Sequence, residues 1–598
     1  MNLQVIKEFR ALLFPWSVAM TTAILMPLAN FLVTVRVVEG GAFVSFVLGL
    51  VVFVFYSSLL AIAASPFGTE FHYRTLPLLV SQPIPRSLIW KRKLIAASTG
   101  IAIALLPVVF ASLLMHSETP APTVSDVAVT TSITSTPEPT PPAGLSPEQE
   151  VYQRRYGINR PVIHSPPAIP LTPDVISASE ILLTACALLL PTLCSVTFWT
   201  LLARSTLGGM VFTAFSQLLV FGILTFISER FGLANSRLGI RDISAQTPIF
   251  ALAGLIYCGI FFLLSWRKFS RVDVSQLLPD TLAGSKSLTS QGLRLEWLRC
   301  RPASGFLNLV RKEIQLQKPL FIIAAILCVL WVLAYIFLLL QPSRKNFAEI
   351  VFALTIGFYI PLMSFLAGSV SLGEEKNLGI VGWHLTFPVS IWRQWAVKLA
   401  VGFAVWLLLG LLLPFSFTRV GLVLGGSRIF NELELESWLV ISLFMTAVFT
   451  LSFWAMTLFN NTVRAVIGSL VAVVALCSAA TLAYWLLVEF VFPQPMVRTL
   501  LDYDSHWRDA VGWVLLGAST VVLAFVQSLL QFRRLQTSSK TVVKYSCALM
   551  VFVFVATVCY FLILPFTQFT PAIYLLLFML LLIVIRRTVA PVAARADS

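Results

Sequence analysis

Gly68-Thr-Glu70-Phe-His-Tyr-Arg74-Thr-Leu-Pro-Leu-Leu-Val-Ser-Gln-Pro83-Ile-Pro-Arg86-Ser-Leu-Ile-Trp90-Lys-Arg-Lys93-Leu94 has a second copy. That copy begins Gly373-Glu-Glu375 and closes Phe-Pro388-Val-Ser-Ile-Trp-Arg393-Gln-Trp395-Ala-Val-Lys398-Leu399. A shift of 305 superposes the two without a gap. Gly68 falls on Gly373, Glu70 on Glu375, Pro83 on Pro388, Trp90 on Trp395 and Lys93 on Lys398, and well upstream Lys7-Glu8 falls on Lys312-Glu313. Each copy is a polar, proline-broken segment caught between long apolar runs, which places it at a membrane surface. Paired segments of this kind imply a pseudo-twofold chain worked on from one side.

The surrounding composition fixes the class. Of 598 residues, 58% are hydrophobic and only 12% charged, and the mean hydropathy is +0.88. A soluble multidomain protein is excluded, and each apolar run is expected to be a helix that satisfies its own backbone in lipid. The expected spans are 17–36, 43–64, 94–115, 176–203, 206–228 and 248–266, then 319–340, 349–371, 396–417, 436–459, 463–490 and 510–532, with 545–566 and 571–586 last. The fold class is therefore all-α and polytopic, with about 14 transmembrane helices as two six-helix repeats plus two C-terminal helices.

The domain division that follows is 1–266 for the first half, with an outer insertion at 116–175, and 267–303 for a basic cytoplasmic linker. The second half is 304–532, and 533–598 holds the two additional helices and the tail. Thr197-Phe-Trp199 matches Ser452-Phe-Trp454 at a shift of 255 rather than 305, so an insertion in one of two fused copies accounts for both shifts. The first part of that insertion is rich in Ser, Thr and Pro and lacks aromatics, which predicts an extended, disordered loop. Met1 to Trp16 shows no cleavable leader and reads as an interfacial helix, as does Gly305 to Lys318.

The net charge of +15 follows topology rather than nucleic-acid binding. With the N-terminus inside, most of the 42 Lys and Arg fall in cytoplasmic segments, including both copies of the repeated stretch. Both termini are then cytoplasmic in a multi-pass cell-membrane protein, a bacterial inner membrane being the expected setting. Lipid is the surrounding partner, and no nucleic acid is expected.

Candidate chemistry is sparse. There is no Walker A sequence, Gly284-Ser-Lys-Ser being the nearest approach, so the chain has no ATP site of that kind. The five histidines are scattered over both faces, no HExxH or CxxC spacing occurs among the eight cysteines, and no metal or cofactor is expected. Ionisable residues in the spans, Glu180, Glu349, Lys398 and Glu489, lie near span ends. The twin stretches admit two readings. In one, Glu70, Lys93, Glu375 and Lys398 are interfacial anchors that snorkel; in the other, each stretch is a short coupling helix whose acid fixes its start and whose proline turns the chain back.

A glutamate after the second span, then Thr-Leu, a leucine run, Pro-x-x-Arg, Ile-Trp and a lysine opening the third span resembles the type-2 export permeases of the ATP-binding-cassette transporters. The resemblance covers roughly 1–266 and 304–532 and implies two permease halves fused in one chain. It also implies a non-enzymatic subunit that moves a lipid-like, peptide or drug-like molecule outward. Separate ATPase subunits, in two copies, would dock at Glu70, Arg74, Pro83, Arg86, Trp90 and Lys93 and at Glu375, Pro388, Arg393, Trp395 and Lys398. The second copy departs from the pattern, with Gly379-Ile-Val-Gly-Trp383 where the first has Arg74-Thr-Leu-Pro-Leu78. The rival classes are a secondary transporter, which calls for charges at mid-membrane, and a membrane-embedded lipid-modifying enzyme, which calls for paired carboxylates or histidines at one interface.

Overall fold

In a computed structural model of the chain, the residues described are 12–25, 41–72, 75–117, 178–230, 243–271, 305–340, 351–352, 354–378, 389–423, 435–459, 461–490, 506–532, 539–563, 579 and 583–584. They form helices, with no strand among them. Nine of these helices are long and apolar enough to cross a membrane, and the chain is a multi-pass helical membrane protein. Val109–Ala185 forms a compact unit of its own, of which only the ends of two helices are described; the packing and the candidate site lie in the other unit.

The first half supplies α1 (Leu12–Leu25), α2 (Gly41–His72), the one-turn α3 (Leu76–Val80), α4 (Arg86–Ser117), α5 (Ala178–Ala203), α6 (Thr206–Arg230) and α7 (Ile243–Ser270). The second half opens with the amphipathic α8 (Gly305–Leu316), turns at Gln317 and continues as α9 (Lys318–Leu340). Then come α10 (Ile360–Leu378), α11 (Ile391–Val405), α12 (Leu413–Val423), α13 (Leu435–Leu458), α14 (Thr462–Phe490) and α15 (His506–Phe532), followed by α16 (Ser539–Ile563).

Matched positions make matched contacts. Gly68 on α2 packs so tightly on Thr206, the first residue of α6, that a Cβ would lie 2.1 Å from its hydroxyl oxygen. Gly373 on α10 meets Thr462, the first residue of α14, in the same way, at 2.5 Å. Between them the shift is 256, one more than at Thr197-Phe-Trp199, because the turn before α14 has one more residue than the turn before α6. Two small satellite cores repeat as well. In the first half Phe67, Trp90, Leu94, Trp266 and Phe269 pack together; in the second, Leu372, Trp395, Leu399, Leu529 and Phe532 do. The last helix of each half, α7 and α15, thereby matches at a shift of 263, which no sequence motif had marked.

The halves join along α2 and α14. At the seam Phe53 and Phe358, equivalent under the 305 shift, meet edge to face at 6.1 Å between ring centroids. An apolar cavity of about 40 Å³ lies there, walled by Ser57, Leu60, Met210 and Ala214 and by their equivalents Leu362, Phe365, Val466 and Leu470. Four residues and their four counterparts face the same small space, as a twofold axis running through it requires, while Tyr56, Leu207, Val211 and Leu366 line it without theirs.

The second half carries two stretches the sequence reading treats as plain helix. Thr355–Tyr359 and Trp406–Leu412 are π-helical, and the Tyr359 hydroxyl donates to the Leu409 carbonyl at 2.7 Å. A wider helical turn leaves carbonyls poorly paired, and in lipid a side-chain donor must serve them. α16 packs on α14 and α15, while 571–586, the last expected span, is described only at 579 and 583–584.

Candidate functional site

The polar stretch expected between spans is shorter than its sequence suggests. Glu70 is in the last turn of α2, and Arg86, Trp90 and Lys93 are in the first turns of α4, so the connection is 73–85 with α3 inside it. Helix propensity carries both helices past their apolar runs because the charges at their ends find partners. Lys93 Nζ lies 3.2 Å from Glu70 Oε1 and 2.6 Å from the Pro66 carbonyl it donates to. Both side chains are buried, a lysine and a glutamate closing the gap between two helix ends. Glu70 also accepts from the Thr75 hydroxyl, and Thr75 N–H donates to the Glu70 carbonyl at 2.9 Å. Thr75 is the residue before α3, so Glu70 sets where that helix starts.

The second copy builds a larger cluster. Lys398 Nζ sits 2.6 Å from Glu375 Oε1 and 2.5 Å from Glu313 Oε1, and Lys312 pairs with Glu375. Glu313, Glu375 and Lys398 are each no more than 1% exposed. Two carboxyl groups and two amines therefore tie α8, α10 and α11 into one junction. Burial pushes the Glu313 carboxyl up, Lys398 opposes the rise and Glu375 adds to it. Glu313 Oε2 has no hydrogen-bond partner among the described residues. Burial also works to raise Glu375, but Lys398 and Lys312 outweigh it and hold that carboxyl below its usual range.

Other site residues divide between inside and outside. Trp90 and Trp395 are core residues; Trp395 donates to Ser528 Oγ at 3.2 Å, and Trp90 packs edge-on to Phe262 and Trp266. Arg86 donates to the Ser270 carbonyl at 2.7 Å, fastening α4 to the end of α7. Pro83, Gln82, Leu78, Lys91 and Arg92 are exposed beside the first clamp, and Trp392 and Arg393 beside the second. Arg74 and Pro388 lie outside the described residues, as do 379–387, the divergent part of the second copy.

Glu313 and Lys312 were absent from the expected site, although the 305 shift had already paired them with Glu8 and Lys7. Their distance along the chain from Glu375 and Lys398 hides them from a local motif. Lys376 is also new: its ammonium donates to the carbonyls of Met456, Thr457 and Phe459 at 2.7–3.1 Å, closing the end of α13. No group of His, Cys, Asp and Glu able to hold a metal occurs among the described residues.

What the arrangement can do is mechanical. Each clamp fuses the end of one membrane helix to the start of the next; the first leaves Leu78, Gln82 and Pro83 of its connecting segment exposed, so a push there moves both helices as one body. No protein-family model, no curated protein and no solved structure matches the chain.

Proposed function

We propose that the chain is the membrane permease of an ATP-driven exporter, built as two fused six-helix halves plus two further helices, fourteen spans in all. Separate ATPase subunits dock at the cytoplasmic ends, one on the segment between α2 and α4 and one on the segment before α11. The cargo is a lipid-like, peptide or drug-like molecule moved outward. The observation that carries the reading is the pair of buried ionic clamps, Glu70–Lys93 and Glu375–Lys398, at equivalent places in two halves that meet along a pseudo-twofold seam.

A carboxylate pair of the kind that a lipid-modifying enzyme calls for does form, at Glu313 and Glu375, but its burial among the described residues and its pairing with two lysines favour a structural role. Among the described residues the charged side chains of the spanning helices lie near their ends, which favours a driven permease over an ion-coupled carrier.

The test is co-purification of an ATPase with the full chain, followed by Glu70→Gln with Glu375→Gln. The double variant is expected to insert and fold yet lower stimulated ATP hydrolysis, while Glu432→Gln stays silent. Full stimulated hydrolysis in the double variant would reduce the clamps to membrane anchors.

A further inference from the structure

The start of α4 and the end of α7 lie side by side and run antiparallel, with Arg86 bonded to Ser270 and Trp90 packed on Trp266 and Phe262. At about 100° of turn per residue, Lys91 and Arg267, each one residue past the Trp90–Trp266 contact, come out on the same flank of this antiparallel pair. Both are exposed, as is Arg271 one turn beyond Arg267. In the other direction along α7 the same face carries Leu263, Ile260 and Ile256, 51–59% exposed, and on α4 Ile95, one turn on from Lys91, is 63% exposed. Arg267 to Ile256 is about 16 Å of helix, roughly half of a bilayer core of about 30 Å. The flank is thus basic at one end and aliphatic over the depth of one leaflet.

Membrane topology alone does not require this. The second half builds the equivalent pair from α11 and α15, with Trp395 against Phe525, yet there Lys91 falls on Ala396, Arg267 on Leu530 and Ile260 on Leu523. Leu523 and Leu530 are buried, and α16, which has no counterpart in the first half, packs along α15. We infer that the α4–α7 flank of the first half binds one anionic glycerophospholipid, its phosphate held by Lys91, Arg267 and Arg271 and an acyl chain lying along Leu263, Ile260 and Ile256. A guanidinium offers a phosphate two parallel N–H donors, and a basic cluster at the end of an apolar strip complements a negative head group on a hydrocarbon chain. None of the three basic residues forms an ion pair among the described residues, and Glu70, the acid nearest this end of α4, is buried against Lys93. The site stands whether or not an ATPase drives the chain.

The test exposes the full chain in lipid nanodiscs to phosphatidylglycerol or phosphatidylcholine carrying the same photoactivatable acyl chain. Phosphatidylglycerol is expected to label the peptide holding Ile256 to Leu263 about fivefold more strongly, or better. Lys91→Ala with Arg267→Leu, which installs the second-half residues, is expected to remove the preference. Arg92→Val with Lys268→Gln, which also installs second-half residues and removes the same charge at positions turned away from the contact, is expected to keep it. Should the first variant fail to fold, the parent is read at rising salt, where the preference is expected to fall. Equal labelling by the two lipids, equal loss in the two variants, a preference indifferent to salt, or displacement of the lipid by excess inorganic phosphate overturns the inference. An absent lipid preference together with loss of ATPase recruitment in Lys91→Ala with Arg267→Leu also overturns it, and makes the flank a protein contact.

Discussion

Lys398→Met removes the one ammonium that, among the described residues, touches both Glu313 and Glu375. Methionine fills similar volume, so the change is electrostatic rather than a cavity. Lys312 still pairs with Glu375, but its side chain is 23% exposed, and Glu313 is left fully buried without the lysine that faced it. Breaking a buried pair from one side costs about 3–5 kcal/mol, chiefly the penalty of the stranded charge. The stranded carboxyl escapes by taking up a proton. Its folded-state value, already raised by burial, rises further once Lys398 is gone. A raised carboxyl contributes stability below its unfolded value, and that stability is lost as pH rises through the folded one. The variant should therefore be least stable in alkali and recover towards pH 5. Thermal unfolding of the purified full chain in nanodiscs between pH 5 and 8.5 reads this directly. Adding Glu313→Gln to Lys398→Met leaves the balanced Glu375–Lys312 pair and should return more than about 1 kcal/mol of the loss at pH 7.5. The reasoning is refuted if Lys398→Met stays within about 1 kcal/mol of the parent at pH 7.5, or if its deficit does not shrink in acid.

Gly368→Ala should reduce the yield of folded protein, because its Cβ would come within 2.5 Å of the Phe449 carbonyl oxygen and 2.8 Å of Phe453 N, backbone atoms of α13 that cannot swing aside; Gly254→Ala, with nothing within 4 Å, is the matched control. Overpacking of that kind costs about 1–3 kcal/mol, read as a lower thermal midpoint in the first variant only. In whole cells a membrane-impermeant thiol reagent should label an introduced Ser117→Cys and miss Cys300, and labelling of Cys300 would reverse the assigned orientation. Deleting 119–142, outside the described residues, should leave membrane insertion and expression intact, checked by the amount of full-length protein in the membrane fraction.

The membrane class and the twin stretches were legible in the sequence because both are local: lipid demands long apolar runs, and a duplication leaves residues in register. So was the acidic start of α3, where Glu70 and Thr75 are near neighbours in the chain. What each charge meets was not legible, because the partners are far apart in sequence and only packing brings α8 against α10 and α11. A motif of exposed docking residues thus turned out to contain its own interior, with Glu70, Trp90, Lys93, Glu375, Trp395 and Lys398 buried and Lys91, Arg92 and Arg393 left outside. The match of α7 with α15 was hidden for a related reason. In lipid almost any large apolar residue fills a helix face, so two equivalent helices keep little identity beyond Phe262 and Phe525, Ser265 and Ser528, Phe269 and Phe532. The tertiary structure alone decided that the two halves meet through equivalent residues such as Phe53 and Phe358. Composition fixes which segments enter the membrane, but only packing fixes which helix faces look at one another.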